Sequence, residues 1–532
     1  MIGYLIYFNY AKSDDFINSP YNTRQDTFSD RVVRGKIISA DGQVLAQTNV
    51  YEDGTEERTY PYANMFAHVV GYDTNGKSGL ESEANFQLLT SHEFFLNQLK
   101  NEFKNQKNTG DTVITTLNAD LQTTAYNALG DRRGAVVAIE PSTGKMLVEL
   151  SKPDFDPNTI ADNWDTLVND ESNSSLLNRA TNGAYPPGST FKTAQGLTFL
   201  QEGIITEQSP SFPCSRGFHY GRLTVGCHAH GSPLPLIPAI ATSCNSYFCW
   251  GLFRMFGDRK YGSPQNAITV WKDHMVSQGF GYKLGVDLPG EKRGLIPNAQ
   301  FYDKAYRGHW NGLTVISISI GQGEILSTPL QIANLGATIA NRGHFTTPHI
   351  VKEIQDAQLD SIYRHPRNTT IERRHYESVV EGMRAAATGG IAVSRRCLGL
   401  DTGAALVIRS TSVSVVSIIG CCLGLWFCGG IISAIVVSVI VALSSHRCVQ
   451  RYIGHGNGCI VILQFFRFCG NRYAVTVFNR ILYLESHFKK CSVCIQFCRG
   501  CKYKHCFSFG FIATDRIVDV GQNAIHHGAC FR

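Results

Sequence analysis

The sequence predicts an α+β protein, an antiparallel sheet backed by helices, in which one helix opens on a nucleophile. Residues 135–140 and 145–150 are apolar strands joined by Pro141-Ser142-Thr143-Gly144, a turn by composition. Tyr185-Pro186-Pro187-Gly188-Ser189-Thr190-Phe191-Lys192 then leads stiffly into an amphipathic helix over residues 190–203, with Phe191, Ala194, Leu197 and Leu200 toward one side. Ser189 and Lys192 stand three apart, so they share a helix face and the amine can reach the hydroxyl. That is the chemistry of acyl transfer.

Residues 1–10 (MIGYLIYFNY) are uncharged and apolar, yet ten residues fall short of the roughly twenty that cross a hydrocarbon core, so they read as the remnant of a transmembrane anchor. Residues 31–46 form two short strands turning at Asp41-Gly42. A glycine-punctuated loop over residues 68–81 precedes a helical stretch over 84–103, then a strand over 111–116 and a helix over 119–129. After Ser189, residues 240–253 read as a buried helix that contains Ser243-Cys244-Asn245. Gly321-Gln322-Gly323 makes a turn, and Thr328-Pro329-Leu330-Gln331 opens a helix to about residue 341, with Thr as cap, Pro first and Gln three after the cap.

Composition breaks near residue 390. All 18 Pro and all 6 Met precede residue 391, although 142 residues of ordinary protein hold about seven Pro. Residues 391–532 carry 13 of the 17 Cys, and 15 Lys and Arg against 4 Asp and Glu. The formal charge of +6 therefore sums about −5 before the break and +11 after it, and it does not indicate a nucleic-acid partner. Residues from about 391–397 onward look like out-of-frame translation; the rival reading takes the uncharged residues 413–443 as a second membrane span. Cys491, Cys494, Cys498 and Cys501 have metal-ligand spacing, but cysteine is enriched throughout this tail, and neither a metal nor a cofactor is expected. Cys214 and Cys227 flank a hairpin near residues 221–225, where a disulfide or free thiols are expected; His219, His228 and His230 nearby point only weakly to a metal.

Ser-x-x-Lys occurs three times, at Ser142, Ser189 and Ser486, and only the second opens a helix. Ser243-x-Asn245, the single Ser-x-Asn, offers a hydroxyl for proton relay and an amide for substrate. The ordered set resembles a class B penicillin-binding protein, a membrane-anchored peptidoglycan D,D-transpeptidase of the penicillin-binding protein 2/A type. Arg34-Gly35-x-Ile37 with Asp41-Gly42 and Gly76-Lys77-Ser78-Gly79-Leu80-Glu81 resemble its two pedestal signatures, Pro186 to Lys192 its active-site box, Ser243-Cys244-Asn245 its second box, and Gly321-Gln322-Gly323 with Thr328 to Gln331 a later fingerprint.

The resemblance implies a mixed α+β pedestal over residues 31–115 and a transpeptidase domain over 116–390, an antiparallel sheet sandwiched by helices as in serine β-lactamases, with the C-terminal part of the sheet missing and an aberrant, Cys-rich tail after it. It further implies Ser189 as nucleophile, Lys192 as base, Ser243 as relay, Asn245 on the substrate and Gly321, Gln322 and Gly323 as substrate-binding residues. The implied partners are peptidoglycan stem peptides, β-lactam antibiotics and a membrane glycosyltransferase of elongation or division, with the catalytic domain outside the cytoplasmic membrane. The third box, Lys-Thr-Gly or Lys-Ser-Gly, should follow residues 379–384 and does not; Asp401-Thr402-Gly403 puts a carboxylate where a cation belongs. A D,D-carboxypeptidase, a β-lactamase, and a defective or purely structural cell-wall protein remain the alternatives.

Overall fold

A computed structural model describes residues 31–92, 98, 99, 101, 103, 104, 106–354 and 359–390, together with five strands beyond them. The expected hairpin forms at Asp41-Gly42: strands Ile37–Ile38 and Val44–Val50 pair antiparallel, and Gly42 takes φ 85°, which glycine tolerates without strain. They belong to a five-stranded sheet in the order Val351–Ile354, Val113–Thr115, Ile37–Ile38, Val44–Val50, Glu56–Thr59. Its first strand comes from far beyond Ser189, so the pedestal sheet draws on chain outside residues 31–115.

Glu81 stitches the two pedestal motifs together. Its carboxylate is fully buried and meets Arg34 Nε at 2.5 Å and Arg58 Nη2 at 2.7 Å. Burial alone would neutralise it, but the two guanidiniums hold its carboxyl below the ordinary range. Removing either arginine would leave a buried charge underpaired, a loss of about 3–5 kcal/mol.

The larger sheet starts from strand β1 (Gly134–Ile139) and strand β2 (Met146–Lys152), paired antiparallel. All of β1 is buried because the sheet is covered on both faces. Ala135, Val137 and Ile139 enter the main core, whereas Val136 and Ala138 join Leu129, Val148 and Leu150 beneath the helix Ala119–Leu129. This alternation is what a strand between two helical layers requires.

Strands β3 (Ala404–Ser410), β4 (Val413–Gly420) and β5 (Ile435–Ile440) complete the sheet in the order β3-β4-β5-β1-β2. One expectation is corrected here, and the rival reading of the tail is not supported. The sheet is not left short after residue 390, and residues 413–443 do not form one membrane helix. The reason is local: VSVVSII and IVVSVI are β-branched runs, which favour a pleated strand over a helix. Pairing is antiparallel apart from β5 on β1, which is parallel. A second unit contains Cys459–Phe468 paired antiparallel with Val475–Leu484. Residues 1–10, Asp401-Thr402-Gly403 and Cys491 to Cys501 lie outside the described residues.

The helices that carry the site are α1 (Lys192–Gln201), α2 (Leu236–Ala241), α3 (Asn245–Gly257), α4 (Pro329–Ala340) and α5 (Tyr376–Thr388). Helix α4 opens on the expected capping box, with Thr328 Oγ1 accepting from Gln331 N at 3.1 Å and Gln331 Oε1 accepting from Thr328 N at 3.0 Å. It lies across β4, β5 and β1.

Glu149 on β2 is fully buried, and burial raises its carboxyl to about 7. Because the folded-state pKa lies above the unfolded one, this group supports folding fully only below about pH 4.5, and that support is lost as pH rises through 7. Glu149→Gln is therefore expected to be the more stable protein at pH 8, by about 3 kcal/mol, and no more stable than the parent at pH 4. Thermal melts at both values decide it, and an equal gap at the two would exclude this origin.

Candidate active site

Ser189 sits in a 3-10 turn, Gly188–Phe191, that runs directly into α1. In a 3-10 turn residues i and i+3 eclipse, and the Lys192 N–H bonds Ser189 O, so Ser189 and Lys192 stand on one side of the turn. Gly188, Thr190 and Phe191 are buried and Ser189 is half-buried, so it is the member of the turn that keeps exposed surface. Phe191 anchors the turn edge-on to Phe280, with ring centroids 5.2 Å apart.

The turn is clamped from below. Gly188 N donates to Gly321 O at 2.9 Å, with Gly188 at φ 60° and Gly321 at φ 70°. A Cβ on Gly321 would stand 2.2 Å from Gly188 O, so a side chain cannot be placed there. Trp271 Nε1 donates to Gln195 Oε1 at 2.9 Å, and Gln195 Nε2 donates to Ile318 O at 2.8 Å, which binds α1 to the 3-10 segment Ile316–Ile320. Gly321 thus supports the nucleophile turn from beneath, while Gln322 is half-buried and Gly323 exposed. Sequence reasoning did not find Gln195 and Trp271, because nothing in their spacing marks the contact.

Lys192 is 2% exposed, and its ammonium is held by the second box. Nζ donates to Ser243 O at 2.7 Å, Ser243 Oγ at 3.0 Å and Asn245 Oδ1 at 2.6 Å. Ser243, Cys244 and Asn245 are not inside one helix, as expected from residues 240–253, but at the break between α2 and α3. Ser243 takes φ 53°, a left-handed conformation costly for serine, and Cys244 becomes the cap of α3, its Sγ accepting from Tyr247 N at 3.3 Å. The break points Ser243 Oγ and Asn245 Oδ1 at one amine. Asn245 Nδ2 donates to Gly226 O at 2.8 Å, which leaves a second N–H on that amide for a ligand.

Strand β3 contains no lysine. Strand β3, which follows Asp401-Thr402-Gly403 in sequence, runs beside Gly188–Phe191 and α5.

Cys214 and Cys227 flank the hairpin Gly217–Tyr220 and Leu223–Gly226, as expected, but they are free thiols and form no disulfide. Their sulfurs converge instead on His230 and Cys244, the four ligand atoms lying within 4.8 Å of one another. His219 and His228 are not part of this group: His228 Nε2 bonds the carbonyl of Thr242, and His219 Nε2 that of Ser215. The sequence signal was Cys227-x-x-His230, a chelating spacing; its partners come from distant segments.

Residues 134–408, more than half of the chain, match the family model of the penicillin binding protein transpeptidase domain, and residues 34–113 match the penicillin binding protein A dimerisation domain. The chain is 30% identical over 344 residues to the peptidoglycan D,D-transpeptidase MrdA of Acinetobacter baumannii, covering 58% of this chain and 49% of that protein. It is 32% identical over 351 residues to the peptidoglycan D,D-transpeptidase PbpA of Mycolicibacterium smegmatis, covering 61% and 66%. The chain thus spans between about half and two thirds of these relatives' length. The crystal structure of Pseudomonas aeruginosa PBP2 in complex with WCK 5153 superposes with a TM-score of 0.57 at 26% identity, over 73% of this chain and 88% of that one. With its nucleophile turn, its buried lysine and its serine–asparagine arm assembled in that fold, the chain belongs to the penicillin-binding protein transpeptidase family.

Proposed function

We propose that this chain is a peptidoglycan D,D-transpeptidase that forms an acyl-enzyme at Ser189. Ser189 Oγ attacks the carbonyl of the penultimate D-Ala of a stem peptide, and Lys192 accepts its proton. The Ser189 N–H stabilises the oxyanion, Ser243 returns a proton to the departing D-Ala, and an amine of a neighbouring strand takes the acyl group. Asn245 orients the substrate's peptide carbonyl through its second amide N–H. A β-lactam acylates the same oxygen. One observation supports the reading: Lys192 Nζ, one turn from Ser189, lies 3.0 Å from Ser243 Oγ and 2.6 Å from Asn245 Oδ1, which gathers base, relay hydroxyl and substrate amide at one amine.

The names of the Acinetobacter and Mycolicibacterium relatives support this substrate class. The same reading puts the catalytic domain outside the cytoplasmic membrane with a membrane glycosyltransferase as partner. Among the described residues no helix is long and apolar enough to cross a membrane.

A second reading rests on composition: the sequence has no Lys-Thr-Gly or Lys-Ser-Gly after residue 384, and the proline-free, Cys-rich tail begins at residue 391. Losing one oxyanion donor slows acyl transfer about 10²- to 10³-fold, so the chain would acylate slowly. If the tail is out of frame, another frame of the coding nucleotides restores that tripeptide. The functional test is release of D-Ala from a synthetic peptide ending in D-Ala-D-Ala, with Ser189→Ala as control. Release by the parent alone is expected, and equal release by both would overturn the assignment.

A further inference from the structure

A half-open row of aromatic rings begins where the acyl-transfer residues end. Asn245 links the two: its Oδ1 accepts from Lys192 Nζ at 2.6 Å, and its Nδ2 donates to Gly226 O at 2.8 Å. Gly226 is the last residue of the hairpin Gly217–Tyr220 and Leu223–Gly226. The hairpin therefore continues from Asn245 on the side opposite Lys192.

Phe218 and Tyr220 are two apart on one strand and share its face, and Trp250 and Phe253 are three apart on α3 and share a helix face. These faces meet. Phe218 lies edge-on to Trp250 with ring centroids 4.7 Å apart, and Tyr220 is tilted against Phe253 at 4.9 Å. The inner end of the row is closed, because Phe218 is fully buried. The outer end is open: Tyr220 is 45% exposed, and Trp250 and Phe253 are half-buried. An aromatic row that served the core alone would be covered along its length; this one ends as a ledge, flanked in sequence by exposed Arg222 and Arg254.

Length and chemistry select what the ledge holds. Helix α3 rises about 1.5 Å per residue, so Phe253 stands about 12 Å beyond Asn245 along its axis. About four extended peptide residues span roughly 13 Å. On the acyl side of its scissile bond a stem peptide has about that much chain before its N-terminus joins an N-acetylated amino sugar. A pyranose ring offers a flat C–H face that packs on an aromatic ring, and hydroxyl and N-acetyl oxygens at its rim that accept from guanidinium donors. A hydrocarbon chain would leave both arginines without acceptors.

We propose that Tyr220, Trp250 and Phe253 form a saccharide subsite that takes the amino-sugar end of the stem-peptide substrate, with Arg222 and Arg254 at its polar rim. The aromatic residues set specificity and touch no reacting atom. The placement of the substrate's sugar rests on the transpeptidase reading, whereas the affinity of the ledge for a saccharide does not.

Two measurements on the full chain test the subsite. Saturation-transfer NMR of chitotetraose with Ser189→Ala is expected to show contacts to the sugar-ring and N-acetyl protons, weakened at least about fivefold when Tyr220→Ala is added and retained with Tyr220→Phe. Equal signals with and without Tyr220→Ala overturn the subsite. Self-association of the parent that Tyr220→Ala abolishes, seen by sedimentation, assigns the ledge to a second copy and overturns it as well. D-Ala release is then compared for a peptide ending in D-Ala-D-Ala with and without N-acetylmuramic acid at its N-terminus. The parent is expected to favour the sugar-bearing peptide at least about tenfold in kcat/KM, chiefly through KM, and Tyr220→Ala to lose that preference. Tyr306→Ala, at an exposed tyrosine on the helix Ala299–Tyr306, is expected to keep it. A preference that survives Tyr220→Ala overturns the placement of the sugar. Chitotetraose binding with no D-Ala released from either peptide leaves the saccharide site standing and removes the transpeptidase reading instead.

Discussion

Replacing Lys192 with Met will slow acylation of Ser189 by penicillin about 10³-fold, within the range general bases contribute. Methionine keeps the unbranched shape of the side chain in a space where Lys192 is 2% exposed, so the packing of α1 survives. What disappears is the proton acceptor and the donor shared by Ser243 O, Ser243 Oγ and Asn245 Oδ1. Leaving those acceptors without that donor costs about 1–3 kcal/mol, visible as a lower melting temperature in a protein that still folds. Acylation measured at several penicillin concentrations separates the two effects: the limiting rate falls. A limiting rate within tenfold of the parent would show that Lys192 is not the base.

Gly321→Ala is expected to be almost as damaging, although residue 321 contacts no reacting atom in this account. Its Cβ would meet Gly188 O at 2.2 Å, and its φ of 70° already disfavours any side chain. The turn must move to admit it, and the hydrogen bond from Gly188 N to Gly321 O must lengthen. A displacement near 1 Å of a nucleophile costs about 10²-fold in rate. The signature is a drop in acylation rate of about that size with far-UV circular dichroism unchanged; a variant with the parent's rate would show that the turn is held by other contacts.

These two residues mark how far the sequence could be read. Helix α4 was legible because its signals are local: a threonine cap, a proline at the first position and a glutamine three after the cap. The first-sheet hairpin at Asp41-Gly42 and the strands β1 and β2 were legible for the same reason. The break at Ser243 was not, because the left-handed residue there is a serine and carries none of the glycine or asparagine signal that usually marks such a turn. The bond from Gly188 to Gly321 that supports Ser189 joins residues 133 apart in the chain and leaves no periodicity behind. The thiol–imidazole group is similar: Cys214 and Cys227 were visible as a pair flanking a hairpin, but Cys244 joins them only because α3 begins where it does. Residues 404–440 differ in composition from what precedes them, yet their β-branched runs still complete the sheet, since strand pairing asks for side chains that fit a pleat and little else.

The measurement that bears most directly on the central claim is the intact mass of the full chain after incubation with benzylpenicillin, followed by peptide mapping. One covalent penicillin per chain is expected, carried on the peptide that contains Ser189, and none in Ser189→Ala. An adduct on a different residue, or an unmodified chain after prolonged incubation, would contradict it.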